Sequence, residues 1–131
     1  MVDSKRYLDW ITHAKKDLEG AKILLEHSAD NSLVCFHCQQ AIEKYLKGFL
    51  LKRENILNEG HGLVKLGKLC EKHDHNFKTI IKDLALINEY YIETRYPGDE
   101  PLVISDEDTQ ECMLITEKII EFINFRLSLN Q

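Results

Sequence analysis

The chain has 131 residues, 44% hydrophobic and 30% charged, with a formal net charge of -5, ordinary composition for one globular domain that excludes wholesale disorder. The acidic balance excludes a general polyanion binder, so any nucleotide or RNA contact must come from a local cluster of cations. No apolar run approaches the ~20 residues that cross a bilayer, and MVDSKRYLDW lacks the apolar core of an export signal, so the four cysteines read as reduced thiols of a cytoplasmic protein without membrane contact.

The first helix is predicted from an Asp3 or Ser4 cap to about His27. Tyr7, Ile11, Ala14, Leu18, Ala21 and Leu25 step by alternating fours and threes, a bundle seam that Trp10 and Leu24 widen. His13 and Asp17, four apart, are placed to pair across this helix. Ser28 to Asn31 supply a turn.

The second helix is predicted from about Ser32 to Arg53 and carries HCQQAIEKYLKG, His37 to Gly48. At 100° per residue, Val34, Cys35, Cys38, Ala41, Ile42, Tyr45, Leu46 and Phe49 fan over roughly 160°. So wide an arc implies cover by more than one neighbour. Gln39 falls inside its edge, while His37, Gln40, Glu43, Lys44 and Lys47 gather on the opposite, free side.

A short connection from Asn55 to Gly60 follows, with Gly60 and Gly62 flanking His61. The third helix is short, about Leu63 to His73, with Leu63, Leu66 and Cys70 on one side. His73 and His75 flank Asp74 in a joint of solvated polar residues. The fourth helix spans about Asn76 to Glu93 and stops because Pro97 pushes Tyr96 out of helical geometry. Tyr96-Pro97-Gly98-Asp99 has Pro and Gly where a type II turn places them. Ser105 caps the fifth helix, with Asp108 three residues on, and it runs to about Leu127. The expected architecture is one all-α domain over residues 1–131, an up-and-down bundle of four long helices and one short one.

Cys35 and Cys38 form a CxxC around His37, but both lie in the apolar arc and His37 points away from them. No second pair of ligands follows, so core packing is the reading and no metal site is assigned. The stripe of His37, Gln40, Lys44 and Lys47 reads either as a solvated face or as an anion site of ammonium groups and neutral donors. Arg95 and Tyr96, at the stop of the fourth helix, are a second candidate, with Tyr90 and Tyr91 nearby to stack on a base or close the core. Nothing supplies a Ser/His/Asp triad, a phosphate-binding glycine loop or a Rossmann fingerprint, so no catalytic residue and no cofactor is assigned.

With HCQQAIEKYLKG on the second helix, KKDLEGAKILL on the first, His61 before the third and YYIETRYPGD after the fourth, the chain resembles the HEPN family, the higher eukaryotes and prokaryotes nucleotide-binding domain, over roughly Tyr7 to Phe125. The resemblance implies a bundle of four or five helices that usually dimerises and is fused to, or encoded beside, minimal nucleotidyltransferases. Several branches of the family are metal-independent ribonucleases, often the toxins of toxin–antitoxin pairs. Their motif is an arginine, four to six residues, then a histidine, late in the bundle at the dimer interface. Here Arg95 is followed by YPGDEPLVI and no histidine occurs after His75. The string matches once elsewhere, from Arg6 to His13, in the first helix and so in the wrong part of the fold. Without a paired imidazole to move the 2′-hydroxyl proton, the implied branch is non-catalytic.

The expectation is therefore a dimeric nucleotide-binding or accessory module. Arg95, Tyr96, Lys44, Lys47, His37, Gln40 and His61 would line a polar cleft, completed across the dimer, that accepts a nucleotide or RNA phosphate. A minimal nucleotidyltransferase is the candidate protein partner. Two alternatives stand beside it: a metal-independent ribonuclease using Arg95 with His37 or His61, and a scaffold whose second helix buries a homodimer seam or docks a nucleotidyltransferase.

Overall fold

In a computed structural model of the chain the described residues are 4–95 and 104–129, with 91–95 described as backbone only. Five α-helices form: α1 Tyr7–Glu26, α2 Asn31–Glu54, α3 Leu63–His73, α4 Ile81–Arg95 and α5 Asp106–Ser128, with a 3-10 helix at His75–Ile80 ahead of α4. Among the described residues there is no strand, and no helix is long and apolar enough to cross a membrane. The all-α bundle read from the sequence is the fold.

Helix α2 is the axis, touching α1, α3, α4 and α5. Its wide apolar arc is thereby explained: Tyr45, Leu46, Phe49 and Leu50 are all buried. Helix α1 runs antiparallel to α2, with Ile11 over Gly48 and Asp17 further along beside His37. Helix α5 runs parallel to it. At one end the Asn31 amide donates to the Ile104 carbonyl (2.9 Å), and at the other Lys52 Nζ donates to the Leu127 carbonyl (3.1 Å).

Several boundaries differ from expectation for local reasons. Helix α1 begins at Tyr7 with no side-chain cap, because the Ser4 hydroxyl donates instead to Asp9 Oδ2 at 2.7 Å and the Trp10 indole donates to the Ser4 carbonyl. Helix α2 starts one residue early, capped by Asp30, whose carboxylate accepts from the Ser32 amide at 2.7 Å. Ser105 caps α5 as expected, accepting from the Asp108 amide at 3.0 Å.

The predicted fourth helix is two pieces. Winding His75–Ile80 as 3-10 places Phe77 and Ile80, three apart, on one buried side. Phe77 then sits between Phe49 (4.5 Å between ring centroids) and Phe122 (5.1 Å). The turn expected at Tyr96 to Asp99 lies outside the described residues.

The joint around Asp74 is solvated only in part, with His73 and His75 exposed as expected but the carboxylate between them shut in. Asp74 is buried, accepting from Arg126 Nε at 2.5 Å and from the Asn76 amide at 3.1 Å, while His73 Nε2 meets Glu54 Oε2 at 2.6 Å. Cys35, Cys38, Cys70 and Cys112 are buried, and none of them is in a disulfide. Cys112 of α5 meets Cys35 and Cys38 of α2, and hydrogen bonding to those thiols, with burial, pushes its pKa up. Burial chiefly does the same for Cys70.

Candidate functional site

One cleft of about 590 Å³ opens between α1, α2 and the connection from α2 to α3. Trp10 and His13 come from α1, Gln40, Glu43, Lys44 and Lys47 from α2, and Leu57, Asn58, Glu59 and His61 from the connection. The helical repeat of α2 sets its half: Gln40, Glu43, Lys44 and Lys47 follow one another at threes and fours and so share a face.

That face is not free, as the wheel suggested, because α1 and the connection cover its centre. Glu43 is only 6% exposed and Lys47 only 4%. Lys47 Nζ donates to Glu43 Oε2 at 3.2 Å and lies 5.7 Å from the centre of the Trp10 ring. Gln39, fully buried, donates through Nε2 to Glu43 Oε1 at 3.2 Å, and Gln40 donates to Gln39 Oε1 at 2.8 Å. His61 Nδ1 approaches Glu43 Oε2 at 3.4 Å. The floor is thus a hydrogen-bonded relay from Gln40 through Gln39 and Glu43 to Lys47, with the exposed His61 reaching it from the wall.

Above the floor, Asp17 bridges two other side chains. Its Oδ2 accepts from Lys44 Nζ at 2.5 Å and its Oδ1 lies 3.3 Å from His37 Nδ1. The pairing expected within α1, His13 with Asp17, is replaced by this contact across to α2, which leaves His13 on the cleft wall. His37 reaches the site only through Asp17.

Four of the residues singled out from sequence, Gln40, Lys44, Lys47 and His61, therefore line one hollow. Arg95 is the last residue of α4, its side chain outside the described set, and Tyr96 lies outside it altogether. Five residues before Arg95, the Tyr90 phenol sits near Asp108, Glu111, Cys112 and Cys35. Burial first, then those neighbours, push its pKa up to about 12. Cys35 is nine residues before Lys44 on α2, about 13 Å along the axis. Within one chain, the end of α4 and the cleft thus occupy different lengths of α2.

The site also contains residues that periodicity did not mark. Trp10 and His13 read as seam and surface, Asp17 as a local partner, and Asn58 and Glu59 as linker. The available signals were Gln39, an amide inside an apolar arc, and the i,i+4 spacing of Glu43 and Lys47. Chemically the cleft offers two ammonium groups, each with a carboxylate partner, two imidazoles, two side-chain amides and an indole edge. Such a lining can hold an anionic group beside a flat polar one. Among the described residues no group of three or more His, Cys, Asp or Glu is placed to hold a metal ion.

An all-α bundle wound around one central helix, with a polar cleft on that helix's covered face, is the class of fold the chain adopts. The sequence profile of the HEPN domain matches residues 7–126, and the chain belongs to that family. Two solved structures are similar over nearly their whole length. TT1696 from Thermus thermophilus is 28% identical with a TM-score of 0.78, covering 92% of this chain and 98% of its own. ST0689, described as an archaeal HEPN homologue, is 26% identical with a TM-score of 0.72, covering 94% and 98%. No functionally curated protein matches the chain.

Proposed function

We propose that the protein is a non-catalytic HEPN binding module that takes a nucleotide, or the end of an RNA, in the cleft between α1 and α2. The observation that supports it is the Lys47–Glu43 pair at the cleft floor, in side-chain positions only 6% and 9% exposed. A buried pair of this kind is a poor source of stability compared with apolar side chains, because both charges lose hydration. It does fix an ammonium group, with Gln39 and His61 orienting its carboxylate partner, at the bottom of a hollow large enough for one nucleotide. Lys44 at the wall and Lys47 at the floor receive the phosphate, and the amides of Gln40 and Asn58 face the base or sugar.

Arg95 and Tyr96 belong to this reading as residues that a second copy brings to the cleft, so the working form is a cytoplasmic homodimer. A minimal nucleotidyltransferase is the proposed protein partner, in the manner of a toxin–antitoxin pair. Thermal melting with millimolar ATP, GTP and short RNAs tests the binding. One of them should raise the melting temperature, as ligand at about 100 times its Kd adds roughly 2.7 kcal/mol. Lys44→Ala should remove the shift. No shift with any of the three overturns the reading.

One observation favours a second reading, a metal-independent ribonuclease. His13 and His61 put two imidazoles on the walls of a cleft that also holds Lys44 and Lys47. Structured RNA incubated with the purified protein would then be cut, and His61→Ala would stop the cutting. Intact RNA disposes of it.

A further inference from the structure

We propose that α3 and the exposed face of α5 are the two halves of one self-association surface, on which a second copy of this chain docks its acidic α5 against the lysine stripe of α3. Leu63, Leu66, Gly67 and Cys70 turn one face of α3 into the core. On the opposite face Lys65, Lys68 and Lys72 are exposed and, with Leu69, fall within an arc of roughly 100°. Together with Val64 these residues line a shallow depression. Among the described residues none of the three ammonium groups has a carboxylate within 4.0 Å.

Helix α5 carries the complement. Glu107, Glu111, Glu117 and Glu121 are exposed around Leu114, which is itself 69% exposed. Lys118, within the same arc, leans back to Asp83 of α4 at 3.2 Å and leaves the face acidic. The spacings agree as well as the signs. Leu114, Glu117 and Glu121 repeat the three-then-four interval of Lys65, Lys68 and Lys72, and each set spans about 10.5 Å. Leu114 fits the aliphatic depression between Val64 and Leu69, and the carboxylates reach the lysines beside it.

A nucleic-acid strand suits the α3 stripe less well. The stripe has no arginine to fork onto phosphate and no aromatic ring on which a base could stack, while its two aliphatic side chains want an apolar partner. Helix α4 lies between the two halves and touches both α3 and α5. A two-fold axis alongside α4 therefore sets each copy's α3 on the other's α5, and the assembly closes as a dimer. This inference takes from the reading above only that the protein dimerises, and names the surface; nucleotide binding is not required.

Charge reversal tests it. In K65E/K68E/K72E both halves are acidic, and in E107K/E111K/E121K both are basic. Sedimentation at tens of micromolar should show the unaltered chain as a dimer whose Kd rises at least about tenfold from low to high salt. Each variant alone should be a monomer of unchanged helicity, and an equimolar mixture should give a one-to-one dimer. Variants that remain dimeric, or a mixture that stays monomeric, overturn this surface and leave the dimer intact. A monomeric unaltered chain overturns both. A dimer indifferent to salt, or a stripe that retains nucleic acid and loses it on lysine reversal, also overturns it.

Discussion

Glu43 accepts hydrogen bonds from Gln39 and Lys47 and stands 3.4 Å from His61, so one carboxylate gathers two side chains of its own helix and one of the connection. Replacing it with an apolar residue strands the Lys47 ammonium in a nearly closed site. Glu43→Leu should cost about 3–5 kcal/mol in urea denaturation, whereas Glu43→Leu with Lys47→Met should recover most of that loss. Additive effects of the two changes would show that the pair is not coupled. Asp74 works differently, as a purely structural charge. Burial alone would raise its pKa, but hydrogen bonds from Arg126 and from Asn76 outweigh burial and hold it below the ordinary 3.8. A depressed carboxyl stabilises the fold fully above its unfolded value and loses that contribution as pH falls through the folded one. Asp74→Asn should therefore be less stable at neutral pH, yet lose stability less steeply as the pH falls below the ordinary carboxyl range. Equal acid slopes for the two proteins would contradict the assignment.

At the level of elements, two helical glycines make opposite forecasts. A Cβ on Gly67 of α3 would lie 2.4 Å from Leu84 Cδ1 and 3.1 Å from Ile81 Cδ1, inside a packed crossing with α4. A Cβ on Gly20 of α1 meets nothing within 4 Å. Alanine at Gly20 should gain about 0.5–1 kcal/mol from helix propensity. At Gly67 the same gain is outweighed by overpacking, for a net loss of about 1 kcal/mol, read from the shift in denaturation midpoint. The helices themselves were legible in the chain because a cap marks the start of α5 at Ser105 and apolar periodicity marks the seam of α1. The 3-10 entry to α4 was not, since Phe77 adopts it to reach Phe49 and Phe122, residues remote in sequence. The wheel of α2 separated apolar from polar positions correctly. It could not tell that α1 and the connection would close over Glu43 and Lys47, because polar side chains paired with one another beneath a neighbour leave no apolar mark.

For the whole molecule, α2 acts as a spine: α1 walls the cleft directly, while α3, α4 and α5 pack on α2 and put no residue into the cleft lining. Gln40, Lys44, Lys47 and His61, which line one cleft, could be singled out from sequence because three share a helical face and the fourth sits between two glycines. Trp10, His13 and Asp17 escaped because their role depends on the antiparallel alignment of α1 with α2, a register that no single helix encodes. The same spine makes the four sulfhydryls informative. Cys112 and the Cys35–Cys38 pair are sealed where α5 meets α2, and Cys70 where α3 meets it, directed at the Leu46 carbonyl at 3.7 Å. An aromatic disulfide reagent reaches none of them while these seams are shut. The rate of colour development is thus a built-in clock for how often α5 or α3 lifts away, and single Cys→Ala replacements say which seam opened.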